Sequence, residues 1–200
     1  MKFINDLNFN DLQNMHNEYI NNTEFPHIVI NNFFKKEKLQ DILNSVNNLK
    51  LKDSTDKFTN KKFEYNKFGF CYNELNELCK EILTELSSTD FLKIMEEITG
   101  IKNLIYNEQL RGAGVHKISN DGLLGVHTDF NMYTDKNFGI IDRRINILIY
   151  LNEDWKEEYG GHLYLYDKNL NNFEKILPIL NRCVIFSTTN KSLHGHPYPL

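Results

Sequence analysis

Two short stretches hold side chains whose types and spacing can do chemistry together. His127-Thr128-Asp129 places an imidazole and a carboxylate two residues apart, at the end of the run Leu123 to Val126, which reads as extended. Side chains alternate faces along a strand, so His127 and Asp129 point to the same side. A second imidazole from another strand would complete a set of two nitrogen donors and one oxygen donor. Leu193-His194-Gly195-His196-Pro197 offers two candidates, His194 and His196, which share one face of an extended segment, and the residues alone do not separate them. Two imidazoles and one carboxylate on one face of an octahedron suit iron(II) and leave three positions open for a co-substrate and O₂.

Taken singly these signals are weak, because an isolated H-x-D triplet commonly sits in a solvated turn and a lone downstream histidine has even less force. Their spacing within a β-rich region carries the metal reading. His116, eleven residues before His127, lies on a run that could enter the same interior. His162 follows Gly160-Gly161 and reads as structural, while His16 and His27 lie in a helical part and read as packing or surface residues.

The elements that must position these groups fall into two textures. Residues 1 to about 100 read as mostly helical with a β insertion. His27 to Ile30 looks like a strand, and Phe33-Phe34 with Leu39, Ile42, Leu43 and Val46 recurs at helical spacing. Leu75, Leu78, Ile82, Leu83 and Leu86 form a second stripe. A third runs through Phe91, Ile94, Met95 and Ile98, with Ser88, Thr89 and Asp90 as capping candidates and Gly100 as the stop. Residues 51 to 68 read as a loop or irregular hairpin.

From about residue 101 short β runs alternate with turn signals. Expected strands are Ile101 to Leu110, Val115 to Ser119 ending at the turn Asn120-Asp121-Gly122, Leu123 to Val126, and Ile145 to Leu151. His162 to Tyr166, Ile176 to Leu180 and Arg182 to Ser187 follow. Many short strands without intervening helices indicate a sandwich or small barrel that the N-terminal helices buttress, within one domain of residues 1–200.

A chain of 200 residues can bury a core without disulfides or structural metals. Its 23 basic against 27 acidic residues leave no positive surplus for tracking phosphates, which disfavours nucleic acid as a partner. Cys71, Cys79 and Cys183 form no C-x-x-C pair, and their odd number argues for a reducing compartment. No run approaches the ~18 apolar residues of a membrane span, and the N-terminus lacks a signal-peptide core. The expectation is a cytoplasmic protein with no membrane partner.

The stretch Asp142-Arg143-Arg144-Ile145-Asn146-Ile147-Leu148-Ile149-Tyr150-Leu151-Asn152-Glu153-Asp154-Trp155, followed by Gly160-Gly161-His162-Leu163-Tyr164-Leu165-Tyr166-Asp167, resembles the core of the 2-oxoglutarate and iron(II) dependent oxygenases. Asn181 to Thr189, running on to Ser192-Leu193-His194-Gly195-His196-Pro197, is similar to the same family in its prolyl-hydroxylase-like branch. The resemblance covers roughly residues 88 to 200. It implies an α+β fold with a double-stranded β-helix, or jelly roll, as core. It implies iron(II) held by His127, Asp129 and His194, with no catalytic side chain beyond these ligands, and 2-oxoglutarate and O₂ as co-substrates. Ascorbate is a further candidate. It implies hydroxylation of a protein, peptide or small-molecule substrate, a prolyl residue being the leading one. His196 then contacts the ligands or the substrate, and His116 is a candidate co-substrate contact because the family often places one on that strand.

The distal carboxylate of 2-oxoglutarate needs a cation, best a bidentate arginine. The resembling branch has it on the last barrel strand, past the distal histidine, whereas this chain stops at Leu200, six residues after His194. The closing strand and its arginine are therefore expected to be missing. Three explanations compete: a truncated chain, a replacement anchor at Arg143 or Arg144, or a protein that no longer turns over. Tyr198 stands where the family more often has an acidic residue. The runner-up reading is a non-catalytic β-barrel binding module derived from such an enzyme. A cupin-like metal isomerase or hydrolase is a weaker third, since that class draws more histidines from its first motif.

Overall fold

Runs that are apolar at every position need cover on both faces, and the strand Cys183 to Phe186 shows how the chain supplies it. The computed structural model describes residues 1–200 except Thr23, Thr55, Lys61, Lys62, 107–109 and Arg111, with the backbone alone at 58–60. An antiparallel three-stranded sheet runs in the order β1 (His27–Asn31), β10 (Arg182–Ser187), β7 (Ile145–Tyr150). On one face Cys183 and Ile185 of β10 pack with Tyr19 of α1 (Phe9–Asn21) and Phe91, Met95 and Ile98 of α4 (Thr89–Thr99). On the other face Val184 and Phe186 pack with Leu163 and Leu165 of β8 (Leu163–Tyr166) and Ile176 of β9 (Phe173–Ile176). Full burial of such side chains contributes ~1.5–3 kcal/mol each. Alternation along one apolar strand thus glues helices to one side and a second sheet to the other.

The second sheet has six strands, all antiparallel to their neighbours: β2 (Asp56–Asn60), β3 (Glu64–Phe70), β4 (Val115–His127), β11 (His194–His196), β8 and β9. Helices α2 (Lys36–Asn47) and α3 (Glu77–Leu86) contribute Val46, Cys79 and Leu83 to a cluster with Phe68, Phe70 and Val115, which covers the face of β3 and β4 turned away from the first sheet. A small hairpin, β5 (Met132–Asp135) with β6 (Gly139–Asp142), completes the order. Among the described residues no helix is long and apolar enough to cross a membrane.

The helical stripes behave as expected. Ser88 caps α4 by accepting the Phe91 N–H, and Gly100 ends it in the left-handed conformation. Helix α1 had no clear stripe, because Leu12, Met15 and Tyr19 stand among polar residues; Asn8 starts it through a capping box with Asp11. Residues 51 to 68 do contain an irregular hairpin, β2 with β3, bulged at Phe58/Thr59.

Three strand expectations fail for identifiable reasons. Residues 101–106 form no strand, and 107–109 lie outside the described residues. The backbone donors of Ile101 and Leu104 are taken by Thr99 Oγ1 and Glu96 Oε1, and Asn103 has φ +59°. Beyond Ile176 the chain leaves β9, because Pro178 has no N–H and Ile179 bonds back to Leu177. Asn120-Asp121-Gly122 ends no strand. It forms a bulge inside β4, between the pairs Lys67↔Ile118 and Tyr65↔Leu123, with Asn66 and Asp121 at φ +50° and +61°. Gly122 is required there, since a Cβ would lie 2.3 Å from Ile118 Cγ2 and 2.6 Å from the Ser119 carbonyl.

Candidate metal centre

Residues paired across a sheet share a face, so the registers show what looks into the space between the sheets. His127 pairs with His194, which pairs with Leu165, and Leu165 belongs to the apolar cluster with Phe186. The Phe186 ring lies 4.8 Å from that of His194. Both histidines therefore face the three-stranded sheet, and their ring centroids are 4.5 Å apart. Asp129 follows just past the end of β4. Its Oδ1 is 3.6 Å from His127 Nε2 and its Oδ2 is 3.7 Å from His194 Nε2. One ligand atom from each of the three residues lies within 4.8 Å of the others.

The surrounding hydrogen bonds aim these atoms. His127 Nδ1 lies 2.8 Å from the Gly125 carbonyl and His194 Nδ1 3.0 Å from that of Ser192. A carbonyl only accepts, so each Nδ1 carries the proton and each Nε2 turns a lone pair toward Asp129. Burial would raise the pKa of Asp129, but His127, Arg143, His194 and Asn146 outweigh it and hold the carboxyl at about 2. The same carboxylate raises His127, whereas burial lowers His194. A carboxylate and two neutral imidazoles are the forms that bind a divalent cation. The donor set fits iron(II).

Arg143 and Arg144, adjacent in sequence, diverge. The Arg143 guanidinium is 3.3 Å from Asp129 Oδ2 and 4.6 Å from the Phe130 ring. Arg144 is exposed, lines the same cavity as the three clustered residues, and its charge lowers the pKa of the Tyr19 hydroxyl against the effect of burial. His196 is buried and lines the same cavity of about 1390 Å³ as the three clustered residues, but it stands outside their cluster. His116 also lines that cavity, where the enclosing wall and the Lys67 ammonium push its pKa to about 4 although its ring stays open to the space. His162 Nε2 lies 2.9 Å from the Glu157 carboxylate, His16 Nδ1 meets the Ile98 carbonyl and His27 Nδ1, at the start of β1, that of Phe25.

Asn146 is the residue the sequence reading passed over. Its Nδ2 donates to Asp129 Oδ2 at 2.7 Å from β7. The signal was present: one amide within Ile145-Asn146-Ile147-Leu148-Ile149 must find a partner in an apolar strand. With Arg143 it occupies Oδ2 and fixes the carboxylate. Asn146→Ala is expected to weaken divalent metal affinity by roughly 10–100-fold, as loss of a group supporting a ligand does. Competition with a chromophoric chelator measures this, and an unchanged affinity would remove Asn146 from the site.

The model of the 2OG-Fe(II) oxygenase superfamily matches residues 113–199. No curated protein matches the chain. Among solved structures, a prolyl hydroxylase from Trichoplax adhaerens, in complex with a peptide fragment of the hypoxia inducible factor oxygen degradation domain, superposes with TM-score 0.65 at 21% identity, covering 95% of this chain and 86% of that one. A prolyl-4-hydroxylase from Pseudomonas putida gives TM-score 0.59 at 12% identity, with 92% and 91% covered. A prolyl 4-hydroxylase from Phytophthora capsici gives 0.53 at 18%, with 98% and 63% covered. These likenesses concern the fold, and the superfamily match falls on the strands that carry the clustered imidazoles and carboxylate. Residues 113–199 thus match the 2OG-Fe(II) oxygenase superfamily, and the fold of the chain is prolyl-hydroxylase-like.

Proposed function

We propose that the protein hydroxylates a side chain of a peptide or protein, a prolyl residue first among them, on a double-stranded β-helix whose two sheets enclose the metal. The observation that carries this reading is the approach of His127, Asp129 and His194 to within 4.8 Å at the wall of a cavity of about 1390 Å³. Such a space admits a co-substrate together with a side chain from outside. The peptide bound by the Trichoplax hydroxylase supports a peptide substrate here.

Iron(II), 2-oxoglutarate and O₂ supply the oxidising chemistry, and the chain's own residues supply position and shelter. His127 and His194 would hold the metal through Nε2 and Asp129 through one oxygen, while Asn146 and Arg143 keep the other oxygen occupied. Phe186 and Leu165 keep water from the His194 side. The test is a panel of peptides incubated with the iron-loaded protein, 2-oxoglutarate and O₂, followed by mass spectrometry. Gain of one oxygen atom is expected on proline-containing members, with succinate formed in step, and it should vanish when the proline is replaced by alanine. Oxygen gain that ignores the proline would exclude the prolyl assignment. Succinate without modification of any peptide would exclude a peptide substrate.

A further inference from the structure

Alternation along β8 sends Leu163 and Leu165 into the space between the sheets, so Tyr164 and Tyr166 point to the outer face of the six-stranded sheet. The register of β8 with β9 pairs Tyr164 with Lys175 and Tyr166 with Phe173, which adds both partners to that face. The cluster that α2 and α3 cover includes no residue of β8, β9 or β11. Beyond its edge four rings meet. Tyr164 and Tyr166 stack with planes 17° apart and centroids 6.0 Å apart. Phe173 leans on both, at 5.1 and 5.6 Å, and Tyr198 stands against Tyr164 at 5.4 Å and 64°. Phe173 is 55% exposed and Tyr198 60%. A contiguous aromatic surface left this open marks a face that meets a partner.

Charge and shape decide what that partner is. Of the four residues the register turns outward only Lys175 is charged, and Glu157 engages it. With a formal net charge of -4 on the chain, this face has nothing to draw phosphates. A second copy adding to the free edge of β9 is disfavoured, because two-fold pairing centred on Glu174 or Lys175 sets like charges opposite each other. An uncharged occupant that packs on rings suits the face, and extended proline-rich segments dock on aromatic surfaces in this way. Two residues of a polyproline II helix span about 6.2 Å, close to the 6.0 Å between the stacked rings. Such a segment makes no internal hydrogen bond, so its carbonyls are free to accept from the three tyrosine hydroxyls. The face also reaches the metal cavity. Tyr198 is two residues from Leu200, which lines the cavity beside Trp155 and Gly161, so their Cα atoms are at most about 7 Å apart. We propose that the outer aromatic face of β8 and β9 docks an uncharged, proline-rich stretch of the same polypeptide whose side chain enters the cavity. This rests on the reading of the protein as a hydroxylase of peptides.

The experiment is calorimetric titration of the zinc-loaded full chain with end-capped decaproline and, separately, with a capped Gly-Ser peptide of the same length. The native chain is expected to bind decaproline and not the Gly-Ser peptide. Phe173→Ser and Tyr166→Ser should each weaken that binding by about tenfold, the scale of losing an aromatic anchor. Phe173→Tyr should keep it. Circular dichroism checks that each variant retains the native fold. A native chain that does not bind decaproline overturns the proposal. So do Phe173→Ser and Tyr166→Ser proteins that bind it as tightly as the native chain, since the peptide then sits elsewhere, the cavity included. Binding of maltohexaose in place of decaproline, lost in Phe173→Ser, makes the face a sugar site and overturns it as well. Docking is read here without oxygen transfer, so its failure is distinct from a peptide panel that gains no oxygen, which strikes the hydroxylase reading instead.

Discussion

Anaerobic titration of the metal-free protein with iron(II) is expected to saturate at one ion per chain, and both His127→Ala and Asp129→Ala are expected to abolish that binding. The effect should be near complete because a three-donor site has no ligand to spare. Asp129 is the single carboxylate of the cluster and supplies its anionic charge. Its removal leaves Arg143, now 3.3 Å from Oδ2, as an unopposed cation beside the metal position. Charge and donor number thus fall together, and Asp129→Ala should be the more damaging of the two. Circular dichroism on both variants separates loss of the site from loss of the fold. Neither variant removes a group from the apolar clusters, so both should keep native secondary structure. Iron bound at well below one per chain in the native protein, or unchanged binding in both variants, would refute the metal centre.

The parts of this site that were legible in the sequence depend on local geometry. Period-two alternation put His127 and Asp129 on one side, and the near-continuous apolar run Ile145 to Leu151 announced a strand. Helices α3 and α4 were legible because their stripes and the Ser88 and Gly100 signals agree. The remainder depends on pairing between distant segments. Arg143 and Arg144 look interchangeable in one dimension, and only the contact of Arg143 with Asp129 separates them. The bulge at Asn66 could not be found by inspection, since its counterpart, Asn120 to Gly122, looked like a chain reversal. The hairpin of β5 and β6 escaped because four-residue strands leave too short a pattern to read. Alternation told which side a residue takes within its own strand. It did not tell which strand lies next to it.

The same limit left His194 and His196 unresolved, and the structure now separates them by what each ring nitrogen meets. His194 Nδ1 is fixed by the Ser192 carbonyl, so its Nε2 is free to face Asp129 Oδ2 at 3.7 Å, across from its strand partner His127. His196 pairs with Leu124, three residues upstream of His127, and makes no bond that selects a tautomer or an orientation. A metal ligand is ordinarily held by its second nitrogen, and His194 meets that requirement where His196 does not. His194→Ala is therefore expected to abolish iron(II) binding, as loss of a donor should. His196→Ala should cost at most the roughly 10–100-fold typical of a group outside the ligand set. Metal affinities measured side by side on the two variants decide the assignment. A larger loss in His196→Ala would reverse it. Equal and complete loss in both, with the fold intact, would mean that the metal lies further along β11, toward the row that also holds Glu64 and Leu124.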